Sequence, residues 1–149
     1  MTAQAEILEL MNKYSYYIDR GEFDAFAELF THGAWIGASG PAFEGREGVR
    51  SFLDNIILYD GEVKTRHVAS NIQIEVDEEN GTATAQSYMT IFQATKALPL
   101  QVIFSGHYFD EYERIDGAWA FRKREIKHPL FGDLTHHLDF GYLKKKSLA

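Results

Sequence analysis

From Glu62 onward the chain alternates apolar and polar residues in long runs that break at turn-forming pairs. That is the pattern of antiparallel strands joined by hairpins, since successive side chains of a strand point to opposite faces. Val68, Ser70, Ile72, Ile74 and Val76 form one face of the first such strand. It ends at Glu78-Glu79-Asn80-Gly81, where Asn-Gly readily takes the positive φ of a tight hairpin. A second strand runs from Thr82 to about Gln93, a loop occupies Lys96 to Pro99, and a third strand covers Leu100 to Arg114. Asp116-Gly117 makes the next hairpin, and Trp119 to Lys127 is the last strand. Such a sheet needs one face covered.

The residues before Glu62 supply the cover. Ile7, Leu10, Met11, Tyr14, Tyr17 and Ile18 recur at helical spacings and predict an amphipathic helix from Thr2 to Asp19, interrupted by Gly21. Phe23, Phe26, Ala27 and Phe30 mark a second helix that stops near Thr31-His32-Gly33. Ala34-Trp35-Ile36-Gly37 is a short strand, Gly40-Pro41 a turn, and a third helix after Gly45 has Val49, Phe52, Leu53, Ile56 and Ile57 as its inner face. Helices followed by hairpin-linked strands make an α+β fold, a curved and mostly antiparallel sheet wrapped on three N-terminal helices.

Composition narrows the function classes. The 149 residues suit one domain with a single core, so residues 1–149 are read as one unit. A net charge of −7 argues against a general phosphate-backbone binder, and no nucleic-acid partner is expected. The absence of cysteine excludes disulfides, thiolate catalysis and Cys-ligated metal. No apolar run is long enough to cross a membrane and no signal-peptide pattern opens the chain, so a soluble cytoplasmic protein without membrane contact is the expectation.

There is no Gly-rich phosphate loop, no His-Glu-x-x-His and no nucleophile elbow. The candidates for chemistry are a few polar residues among apolar elements. Asp19 follows Ile18 at the end of the first apolar stripe, and His67 stands near the start of the first long strand. Strict alternation sets His67 with Asn71, Gln73 and Glu75, opposite the Val68-to-Ile74 row. Three arrangements satisfy that pattern: a polar interior at one end of the strand, a bulge that re-aims the histidine, or an exposed side chain. Alternation likewise sets Arg122 and Arg124 on one face and Trp119, Phe121 and Lys123 on the other. Trp35, Phe43, Tyr88, Phe92, Phe104 and Tyr108 are candidates to line a pocket for an apolar or cyclic substrate. His107, between Gly106 and Tyr108, is a further strand histidine. His128, His136 and His137, with Asp133 and Asp139, fit no metal-ligand spacing and read as surface residues, and Lys144-Lys145-Lys146 as a frayed end.

Several segments together carry a resemblance: Tyr16-Tyr17-Ile18-Asp19-Arg20, Phe26-Ala27-Glu28-Leu29-Phe30, Ala34-Trp35, His67 with Asn71, and the run from Tyr112 to Trp119. Over roughly residues 3–128 the chain resembles the SnoaL-like group of the nuclear transport factor 2-like superfamily. Its pattern is nearest to the hexachlorocyclohexane dehydrochlorinases and, more distantly, the scytalone and bile-acid dehydratases. The resemblance implies a cone-shaped domain with a pocket between sheet and helices, and an Asp19–His67 acid–base pair working without metal or organic cofactor. It also implies that Arg124 and Trp35 are pocket residues of the dehydrochlorinase kind. Tyr14 matches a pocket tyrosine of the bile-acid enzymes where the dehydrochlorinases carry lysine.

The pair has its own physical logic. A neutral imidazole accepts a proton near neutral pH, and a carboxylate on its other nitrogen fixes the tautomer and stabilises the imidazolium. Together with the resemblance this implies a lyase of the dehydratase or dehydrohalogenase kind, acting on a small molecule, with Asp19, His67 and Arg124 catalytic and Tyr14 binding substrate. Alternatives are an isomerase or polyketide-cyclase-like enzyme, and a non-catalytic binding protein or dioxygenase small subunit. Relatives of this kind self-associate through the sheet, so a dimer or trimer is expected.

Overall fold

The computed structural model describes residues 1–139. Helix α1 (Ala3–Arg20) starts at the N-cap Thr2, whose hydroxyl accepts from the Ala5 N–H at 3.2 Å, and ends at Gly21 in the left-handed region, φ 73°. It buries Ile7, Met11, Tyr14 and Ile18, the predicted stripe. Helix α2 (Phe23–Glu28) is shorter than its apolar pattern; Leu29 and Phe30 continue it as turns, and Phe30 is fully buried. Strands β1 (Ala34–Ile36) and β2 (Ala42–Glu44) precede α3 (Gly45–Leu53). Ile56 and Ile57 lie beyond the end of α3; Ile56 pairs with Leu138 in an isolated bridge instead.

Four long strands follow: β3 (Thr65–Asp77), β4 (Thr82–Gln93), β5 (Gln101–Ile115) and β6 (Ala118–Phe131). The sheet order is β2-β1-β6-β5-β4-β3, antiparallel throughout except for the parallel β1–β6 pair. The helices pack on the inner face, so Phe26, Phe30 and Tyr14 meet Phe121, Tyr112 and Tyr108 from the sheet. Phe30 and Phe121 stack at 4.9 Å with 17° between planes. Gly33 is needed where the chain enters β1, because a Cβ there would lie 2.4 Å from the Phe121 carbonyl oxygen. Among the described residues no helix is long and apolar enough to cross a membrane.

Bulges decide which side chains face inward. In β3 the register against β4 shifts between Ser70 and Gln73, with Asn71 in the left-handed region at φ 54°. Before the bulge Thr65 and His67 are inside; after it the inward row is Ile72, Ile74 and Val76, each partly buried. Of the three arrangements open for His67, the bulge is the one adopted. Val68, expected to share the face of Ile72, is exposed because it lies on the other side of the shift. In β6 the register against β5 shifts at Glu111/Tyr112, leaving Arg122 unpaired. Arg124 therefore faces inward with Trp119 and Phe121, and the expected pairing with Arg122 on one face is corrected.

The β3 bulge gives a prediction. Asn tolerates the left-handed region and a β-branched residue does not, so Asn71→Val should cost about 1–2 kcal/mol and Asn71→Gly far less. Denaturant unfolding of both variants checks this; equal stability would mean that the backbone at residue 71 does not hold the strand's register.

Candidate active site

The last turn of α1 supplies Asp19, and the Gly21 cap stops the helix with that carboxylate beside the start of β3. Asp19 Oδ1 accepts from the Thr65 hydroxyl at 2.8 Å and lies 2.6 Å from His67 Nδ1; Oδ2 accepts from the His67 backbone N–H at 2.7 Å. Side-chain exposure is 3% for His67 and 11% for Asp19, so the pair is largely dry. A carboxylate can only accept, so the facing Nδ1 carries the proton and Nε2 is left as the basic nitrogen. Burial works against charge on Asp19, but the hydrogen bonds and charge of His67, with the Thr65 hydroxyl, hold its carboxyl below the ordinary value.

His67 lies in the wall of an apolar cavity of about 100 Å³. That is smaller than the apolar cavity of about 150 Å³ that takes benzene, so a single ring enters only if the lining side chains shift. Tyr14 and Ile18 from α1, Trp35, Phe43 and Phe52 line one side; Ile91, Phe104, Tyr108, Ile126 and Phe131 from the sheet line the other. The Trp35 indole N–H donates to the Tyr14 hydroxyl at 3.0 Å, and a side-chain hydrogen bond joins Tyr14 to Tyr108. Burial pushes both phenols up, Tyr108 well above its ordinary value, so both stay protonated; the bond between them uses one O–H and leaves the pair one to donate.

Two expected catalytic residues stand behind the wall. Asp19 backs His67 and opens instead on a polar groove shared with Asn12, Tyr16 and Arg66. Arg124 is fully buried and bidentate to Asp110, at 2.8 and 3.0 Å, with the rings of Tyr14 and Tyr108 over its guanidinium at 4.3 and 4.9 Å. It does not line the cavity, so the expected pocket arginine lies instead behind the tyrosines. Burial opposes its charge, but Asp110 outweighs that and keeps Arg124 firmly cationic.

Other expectations divide. Tyr88 is 47% exposed and packs on His107 at 5.0 Å on the outer sheet face, and Phe92 lies outside the cavity as well. Neither lines the pocket, because the even-numbered residues of β4 point outward. His107 bonds Gln86 at 2.9 Å on that outer face. Among the described residues no group of three or more His, Asp or Glu is placed to hold a metal ion. The lysines at 144–146 lie outside the described residues.

His137 is the residue that sequence reasoning missed. Expected at the surface, it is buried, lines the cavity with Leu134 and Leu138, and puts its ring 6.2 Å from that of His67. Burial, then the neighbouring His67, push its pKa down to about 3. The visible signal was the apolar pair Leu134 and Leu138 around it, at the spacing of a segment folded back on the core.

The described geometry coincides with a known family. A family model for the SnoaL-like domain matches residues 1–125. The chain belongs to the SnoaL-like family. Its relatives include the gamma-hexachlorocyclohexane dehydrochlorinase of Sphingobium indicum, 23% identical over 128 residues, covering 83% of this chain and 79% of that one. A candidate scytalone dehydratase from Novosphingobium aromaticivorans is 25% identical at a TM-score of 0.69, covering 93% of both chains. A second N. aromaticivorans protein, NTF2-like with a cystatin-like fold, gives a TM-score of 0.71 at 19% identity, covering 97% of this chain and 87% of that one, and shows the fold alone.

Acid sensitivity follows for this SnoaL-like domain. His137 has a folded pKa of about 3 against about 6.5 in an unfolded chain, so the unfolded state binds more protons between those values. Its contribution is complete above pH ~6.5 and is lost as pH falls through that window. Asp19, with a lowered pKa, loses its contribution only at lower pH, as its carboxylate protonates. The urea midpoint should fall from pH 7 to pH 4, and His137→Phe should flatten that fall. Equal slopes for the two proteins would contradict the assignment.

Proposed function

We propose that this SnoaL-like domain is a cofactor-independent lyase, a dehydratase or dehydrohalogenase acting on a small apolar or cyclic substrate. One observation carries the reading: the Asp19 carboxylate 2.6 Å from Nδ1 of a histidine whose ring forms part of an apolar cavity wall. His67 Nε2 takes a carbon-bound proton. The electron pair of that C–H bond forms the new double bond, and the leaving group on the neighbouring carbon departs with its own pair. Asp19 orients the ring and stabilises the imidazolium. The Tyr14–Tyr108 pair, with one O–H used in the bond between them, has one left to donate to oxygen or developing negative charge, and the Arg124 cation beneath them favours that charge; its field already opposes the burial effect on both phenols.

Relatives named for a dehydrochlorinase and a dehydratase support an elimination. The two buried tyrosine hydroxyls favour a second reading, an isomerase or cyclase in which the proton returns to another carbon. A carboxylate-backed imidazole in the wall of an apolar cavity supports either enzyme over a purely structural subunit.

Proton–deuterium exchange in D₂O across a panel of cyclic ketones, alcohols and halides tests the reading. Exchange or elimination by the wild type should fall by about 10²–10⁴ in His67→Ala with the fold intact. An unchanged rate in that variant would overturn the role of His67. We also infer self-association through the outer sheet face, where Val68, Tyr88, Val102 and Leu130 are exposed. Light scattering at micromolar concentration should give a dimer or trimer, and a monomer would contradict it.

A further inference from the structure

The inner row of β5 lacks one side chain. Gly106 is buried between Phe104 and Tyr108, both of which line the cavity, and stands opposite Met89 of β4. A Cβ on residue 106 would lie 2.9 Å from Phe104 Cε1, 3.0 Å from Phe104 Cζ and 3.0 Å from Ile126 Cγ2, all closer than carbon atoms pack. The Phe104 ring therefore lies back against the strand, in the space that a side chain at residue 106 would take. Ile126, the other residue in contact there, lines the cavity too. Much of the remaining wall is tied down: Trp35 and Tyr108 are bonded to the Tyr14 hydroxyl, and His67 to Asp19. Phe104 has no hydrogen-bonding group on its side chain, and its ring meets that of Phe131, which is 58% exposed, edge-on at 5.7 Å.

We propose that Gly106 is a specificity-determining residue: by leaving the Phe104 ring room against β5, it sets the cavity to admit one unfused ring and no larger skeleton. Side chains alternate along a strand, so a Cβ at residue 106 points the same way as those of Phe104 and Tyr108, into the fold. It would prop the Phe104 ring off the strand and into the cavity. At about 100 Å³ that cavity is already below the apolar space of about 150 Å³ that takes benzene, so a ring is admitted only where a wall gives way. Phe104, resting on a residue without a side chain and on an exposed ring, is that wall. A fused second ring would need the room that the Phe104 ring itself fills. The inference rests on the cavity being the substrate site, as in the proposed lyase, but not on the elimination itself. It narrows the substrate class left open there to single rings.

Binding without turnover separates the two claims. The Trp35 indole N–H resonance of the full chain reports on the cavity that Trp35 lines, and that of Trp119, which does not line it, serves as internal control. In the wild type cyclohexanone should shift the Trp35 resonance to saturation, and 2-decalone, with two fused rings, should leave it unmoved. Gly106→Ala should weaken cyclohexanone binding by about tenfold or more, the scale of an overpacked core contact. Phe104→Ala should admit 2-decalone. Adding Phe104→Ala to Gly106→Ala should restore cyclohexanone binding, a rescue that general damage to the fold would not give. Wild-type affinity for cyclohexanone in Gly106→Ala, no rescue in the double variant, or 2-decalone bound equally by the wild type and Phe104→Ala overturns the size limit and leaves His67 as base untouched. Should Gly106→Ala fail to fold, the comparison of wild type with Phe104→Ala on 2-decalone decides. A wild type that binds neither ketone overturns the cavity as substrate site and the size limit with it, whereas ring selection without His67-dependent exchange overturns the lyase alone.

Discussion

The Asp19 carboxylate organises this structure. Two oxygens receive the Thr65 hydroxyl, the His67 backbone N–H and the His67 ring, so one side chain ties the end of α1 to the start of β3. The backbone bond sets the height of the strand against the helix, and the ring bond sets the tautomer. Neither works without the other: a strand displaced by one residue would present Arg66 or Val68 to the carboxylate. The cost of burying the carboxylate is offset because each bond favours its charged form. Chemistry and architecture therefore share one interaction, and the histidine cannot be moved without loosening the helix–strand contact.

Around that anchor the cavity is chemically asymmetric. The Asp19 side opens on a polar groove, while the His67 side faces rings and aliphatic chains. In an apolar cavity any charge formed is governed by the few polar groups present. Those are the Tyr14–Tyr108 pair, with Arg124 and Asp110 locked beneath it, and the His67 and His137 rings. The buried Arg124–Asp110 pair also fixes the tyrosines, because their rings rest on the guanidinium. The SnoaL-like fold in this chain thus places one buried ion pair against the two tyrosines that line the cavity.

Much of this was legible in the chain. Stripes such as Ile7-Met11-Tyr14-Ile18 and turns such as Asn80-Gly81 are local patterns, and the helices and hairpins they predict are present. Asp19 and His67 were legible as a pair only through the family resemblance. Alternation alone pointed His67 away from the core, because one added residue at Asn71 reverses the parity of β3. The same device at Arg122 turned Arg124 inward against expectation. A trace of the first bulge is visible: Thr65 and His67 share odd numbers, whereas Ile72, Ile74 and Val76 are even, with Asn between the two sets. β2 has only three residues, too few for any period to show. His137 is placed by contacts with Asn55, Ile57, Tyr59 and Gln93, distant in sequence, so neighbouring residues carry little of the information.

The central claim is that Asp19 holds His67 as the Nδ1–H tautomer and leaves Nε2 free to act. The direct measurement is a two-bond ¹H–¹⁵N spectrum of ¹⁵N-histidine-labelled protein at neutral pH, with His67 assigned by substitution. The account predicts a protonated, pyrrole-like Nδ1 and an unprotonated, pyridine-like Nε2 for His67, with that pattern lost in Asp19→Asn. A protonated Nε2 with a bare Nδ1, or a pattern indifferent to Asp19, would contradict it.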